Sequence, residues 1–82
     1  MIKKTIVRAT IIQPECRAEI YRLYDMETTF HVTRQTITDT DAVIELVRKL
    51  IANEATIIKE RDYISDDDLE EHHSVTYEYI SE

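Results

Sequence analysis

Apolar and polar positions alternate along most of this chain and switch once to a helical spacing. In residues 4–12, KTIVRATII, the side chains of Val7, Ala9 and Ile11 share one parity among many β-branched neighbours, which predicts a strand with those three on one face. Ile6 and Ile12 carry the other parity, so the opposite face is not purely polar. QPE at 13–15 predicts a turn, because proline presets φ for the second turn position. Residues 17–24, RAEIYRLY, continue as a second strand with imperfect alternation: Ala18 and Ile20 share one parity, Tyr21 and Leu23 the other. That pattern calls for a bulge near Ile20 or for a strand partly covered on both faces. Asp25 and Met26 are read as a tight turn into a third strand, ETTFHVTRQ at 27–35, in a register that sets Tyr21 opposite Phe30. Without glycine, the favoured two-residue turn is disfavoured and a longer loop is the alternative.

The spacing changes at TITDTDAVIELVRKLIANEAT. Val43, Leu46, Val47 and Leu50 recur at i, i+3, i+4 and i+7, which predicts an amphipathic helix whose apolar stripe Ile44 and Ile51 widen. Thr38 with Asp41 three residues later resembles a capping box, Arg48 and Lys49 suit the negative end of the helix dipole, and Asn53 is the expected left-handed stop. Strand periodicity returns at 56–64, TIIKERDYI, and at 74–81, SVTYEYIS. In the last strand Val75, Tyr77 and Tyr79 share one face, while Thr76, Glu78 and Ile80 share the other. Between the two strands SDDDLEEHH is read as a loop or as one helical turn capped by Ser65. The expected order is β-β-β-α-β-β, an α+β fold with a mostly antiparallel sheet of four to five strands and one helix packed on one face. Residues 1–82 form a single small domain ending in an acidic hairpin at 62–82.

Composition narrows the chemistry. The chain has no glycine at all, which removes phosphate-cradling loops and dinucleotide fingerprints, since both need backbone without a Cβ. One cysteine, Cys16, leaves no intramolecular disulfide and suits a reducing cytoplasm. Lys3 and Lys4 precede an apolar run, but Arg8 and Thr10 break it short of the roughly 7–15 apolar residues of a secretory core. Nothing approaches the roughly 18–20 apolar residues of a membrane helix. A soluble, cytoplasmic chain is expected.

Candidate metal and nucleophile sites are thin. Asp66, Asp67, Asp68, Glu70, Glu71, His72 and His73 supply many donors, yet without the alternating oxygens and central glycine of a calcium loop. His72 and His73 are adjacent, and on a strand adjacent residues face opposite ways, whereas a zincin helix needs two histidines four apart. Asp68 and His72 share a helical face, but a pair falls short of a ligand set. No metal and no cofactor are expected. Cys16 and His31 are potential neighbours across the first hairpin, with only Arg17 beside the thiol to lower its pKa. The expectation is a protein that is not an enzyme.

Charge is the feature that rises above background. Residues 1–61 hold ten Lys/Arg and nine Asp/Glu, a net of +1; residues 62–82 hold eight Asp/Glu and no Lys/Arg, a net of −8. All the excess of the −7 total therefore lies in the last quarter. Such an end repels nucleic acid and anionic membranes and attracts a basic protein. Tyr63, Ile64, Val75, Tyr77, Tyr79 and Ile80 anchor the segment, so its carboxylates are displayed on ordered structure. The predicted partner-binding residues are Asp66, Asp67, Asp68, Glu70, Glu71, Tyr77, Glu78 and Tyr79. In size, acidity and lack of catalytic motifs the chain resembles small phage-encoded inhibitors of host defence or transcription, including nucleic-acid mimics. That resemblance is one of composition and assigns no residue a role; it implies a non-catalytic protein that blocks the basic groove of a nucleic-acid-binding partner. The alternative is the structural subunit of a homodimer or larger homo-oligomer, with apolar residues of both parities covering both sheet faces.

Overall fold

The computed structural model describes residues 2–26 and 29–81, with side chains from Lys4 onward. Its elements are β1 (Ile2–Gln13), β2 (Arg17–Met26), β3 (Phe30–Ile37), α1 (Thr40–Ala52), β4 (Thr56–Ile64) and β5 (Glu71–Ser81). The strands form one antiparallel sheet in the order β3-β2-β1-β5-β4, the upper end of the expected strand number. The chain leaves β3 at one edge and must re-enter as β4 at the other, about 19 Å away for four strand spacings of roughly 4.8 Å. The 13 residues of α1 rise about 1.5 Å each and cover nearly the same distance, so the helix is the crossing.

Val43, Leu46 and Leu50 of α1 form one buried cluster with Val7 and Ala9 of β1 and Ala18 and Ile20 of β2. Ala9 and Ala18 are fully buried, and their small side chains let the helix backbone lie close to the sheet. Ile11, Cys16, Ile37, Tyr77 and Tyr79 pack around this cluster. The helical stripe is narrower than the sequence pattern suggests: Ile44 and Ile51 are exposed.

The helix ends are built by other residues than the spacing suggests. Asp39, not Thr38, is the N-cap, and its carboxylate accepts the Ala42 N–H at 3.1 Å. At the other end Asn53 has φ −97° and Glu54, at φ 52°, makes the left-handed reversal. The Glu54 N–H reaches the Ile51 carbonyl at 3.1 Å and the Ala55 N–H reaches that of Leu50 at 2.9 Å, a Schellman pair. Asn53 is freed to cap the Lys49 carbonyl with its side-chain amide, at 2.8 Å.

The second hairpin is also corrected. β2 runs on to Met26, whose N–H donates to the Thr29 carbonyl, so the chain reverses after Met26 and not at the expected turn at 25–26. Tyr21 therefore lies opposite Arg34, with the guanidinium 4.9 Å from the ring centroid, and Phe30 lies opposite Asp25. β2 pairs without interruption around Ile20; the register shifts fall at Ile2/Lys4 and Ile57/Lys59. The partly covered strand is the reading that holds: Ala18 and Ile20 are core, while Leu23 on the other face is half-buried.

Candidate functional site

The acidic segment joins β4 to β5 as a closed turn. The Leu69 N–H donates to the Ser65 carbonyl at 2.8 Å, one helical turn that goes no further, and the Ser65 N–H donates to the Glu70 carbonyl at 3.0 Å. Ser65 Oγ takes the Asp67 N–H at 3.3 Å, and Asp68 Oδ1 takes the Glu70 N–H at 2.9 Å. Four hydrogen bonds thus fix a six-residue tip. Leu69 sits in the left-handed region at φ 57°, a conformation that penalises a Cβ, and its side chain is 79% exposed. Ile64, the last residue of β4, is 68% exposed beside it. Asp66, Asp67, Asp68, Glu70 and Glu71 are all exposed around these two.

One carboxylate of this group turns inward. The Glu70 N–H and then the His72 imidazole hold Asp68 below the usual aspartate range. His72 Nε2 lies 2.9 Å from Asp68 Oδ2 and 3.2 Å from Oδ1, and the ring stacks on Tyr63 at 5.5 Å between centroids. His72 is the one buried polar or charged residue among those described, on the sheet face opposite α1. Its Nδ1 faces Glu15 Oε1 at 3.4 Å, across from the turn that joins β1 to β2. Glu15, Asp68 and His72 thus bring ligand atoms within 4.8 Å of one another. Sequence spacing links Asp68 to His72 but carries no sign of Glu15; only the antiparallel pairing of β1 with β5, which sets Gln13 opposite His73, delivers it. His73 points to the other face and meets Asp62, Nδ1 to Oδ1 at 2.6 Å.

The remaining predicted partner-binding residues do not join this end. Tyr77 and Tyr79 are half-buried and packed against the core cluster, because their parity matches Val7 and Ala9 of β1. Glu78 faces the opposite side and pairs with Arg8, Nε to Oε2 at 2.6 Å. Cys16 belongs to the β1–β2 turn, whereas His31 is paired with Tyr24 towards the other end of β2, so the two never meet.

Opposite α1 the sheet carries a shallow groove of about 410 Å³, lined by Ile6, Leu23, Val32 and Ile58 together with Arg8, Tyr21 and Lys59. Long cationic side chains and apolar ones alternate there, as on a sheet face that meets solvent or a partner. No helix among the described residues is long and apolar enough to cross a membrane. Neither a protein-family model, nor a curated protein, nor a solved structure matches the chain.

Proposed function

We propose that the protein is a non-catalytic, cytoplasmic binding protein that inserts its β4–β5 turn into a basic cleft of another protein. Leu69 and Ile64 are the apolar anchors, and Asp66, Asp67, Glu70 and Glu71 provide the surrounding negative charge. The observation that carries this reading is Leu69: a leucine held at positive φ and largely exposed on a turn closed by its own hydrogen bonds. A turn that served solubility alone needs carboxylates and gains nothing from a strained, displayed leucine. Dense negative charge favours a partner with a nucleic-acid-binding groove, where the carboxylates stand in for phosphates and the outcome is inhibition by occupancy. Asp68 contributes less than its neighbours because His72 already holds it. Tyr77, Tyr79 and Glu78 support the sheet rather than the contact.

Two substitutions test the two halves of this contact separately. Capture of a partner from cell extract, followed by titration, is expected to weaken at least tenfold for Leu69→Ser and to lose most of its salt dependence for Asp66→Lys with Glu70→Lys. Affinity that ignores both changes while the fold survives removes the reading. A second reading, self-association into a homodimer, is favoured by the groove opposite α1. Light scattering of the purified chain decides it: a strict monomer at micromolar concentration leaves the groove as a solvated face.

A further inference from the structure

We propose that Glu15 and His72 bind one divalent first-row transition cation, with Asp68 as the outer carboxylate that orients the imidazole. A carboxylate that receives the Glu70 N–H can only accept from His72, so the proton of the ring sits on Nε2 and points at Asp68. In the neutral ring Nδ1 then presents its lone pair. That atom belongs to a side chain 1% exposed, has no hydrogen-bond partner among the described residues, and faces the Glu15 carboxylate at 3.4 Å. Two electron-pair donors turned towards each other repel unless a proton or a metal cation lies between them, and no hydrogen bond joins this pair. A separation of 3.4 Å is also what a tetrahedral ion with bonds of about 2.0–2.1 Å leaves between two of its ligands.

The surroundings complete the pattern. A carboxylate on the far nitrogen of a ligating histidine fixes its tautomer and raises its basicity, which is the position of Asp68. Among the described residues the other buried polar side-chain atom without a partner is Arg17 Nε, and it lies 3.8 Å from Glu15 Oε2. With Oε1 committed to the cation, Oε2 is left for that N–H. A donor set of one imidazole and carboxylate oxygen suits zinc, cobalt or manganese better than magnesium or calcium, with water in the remaining positions. The bound ion joins the β1–β2 turn to the base of the β4–β5 turn. The site stands whether or not that turn docks on a partner.

Titration of the full chain, stripped with chelator and followed by calorimetry with zinc chloride and by the visible spectrum of cobalt, tests this without any partner protein. One saturable ion per chain is expected, with a rise in melting temperature on binding. Asp68→Asn should weaken binding about 10–100-fold. Glu15→Gln, on an exposed turn where it leaves the fold intact, should weaken it at least tenfold, while His73→Gln changes nothing. No saturable binding overturns the proposal; so does zinc binding that Glu15→Gln leaves intact or that His73→Gln abolishes.

Discussion

The two faces of the sheet are built on different principles. The α1 side is a compact apolar core in which helix spacing meets strand alternation: Leu46 and Leu50 over Ala9, Ala18 and Ile20. Among the described residues no element covers the opposite side, and those buried there are Ile12 and the polar His72, at the end where two turns converge. The first face supplies stability through removal of apolar area from water. The second retains a charged, partly apolar surface and one polar cluster, features that cost stability unless they serve a contact. In so small a domain, with little core to spare, that division separates what holds the fold from what the fold displays.

Substitutions on the two faces should separate accordingly. Leu46→Ala is expected to destabilise by about 2–4 kcal/mol in a denaturant titration, whereas Leu23→Ala on the groove side should cost less than half as much. Equal losses would mean that the groove is covered in solution. His72→Leu comes next, with a smaller loss, because Asp68 loses its inward partner. A neutral or stabilising result would make the polar cluster incidental. Asp39→Ala should remove about 1 kcal/mol through the lost cap on α1, without effect on any partner. Arg8→Ala should cost less than about 1 kcal/mol, since its pair with Glu78 is a largely exposed one.

Acidification sharpens the same contrast. Asp68 is held below its usual value, so its contribution is complete above the ordinary carboxylate range of about pH 4 and is lost as pH falls through the lowered value. Asp68→Asn should flatten that acid limb in thermal melts while the response of the α1 side is unchanged. An identical acid limb in the variant would mean that other carboxylates set it.

Legibility from sequence follows the same division. Parity alone places Val7, Ala9 and Ile11 on one face, and helical spacing alone selects Val43, Leu46 and Leu50, because burial on a regular element imposes a regular period. Where the outcome depends on the position of a reversal or on a long-range partner, pattern is insufficient. Tyr21 meets Arg34 instead of Phe30 because β2 runs on to Met26, and moving the reversal along the chain shifts every pair after it. Glu54 takes the left-handed position in a chain with no glycine to offer. Alternation assigns Tyr77, Tyr79 and Glu78 to their two faces, yet not which face the helix covers, and that choice removes both tyrosines from the acidic contact. The carboxylates of the turn are evident from composition; the exposed Leu69 among them and the approach of Glu15 to His72 are products of backbone geometry and sheet order.

Backbone relaxation by ¹⁵N NMR over Ser65 to Glu71 tests the display of this turn most directly. Order parameters near 0.85, matching those of β5, are expected if the hydrogen bonds at Ser65 and Asp68 hold the leucine and its carboxylates in one arrangement. Values below about 0.6 across the same residues, with the sheet rigid, would contradict it.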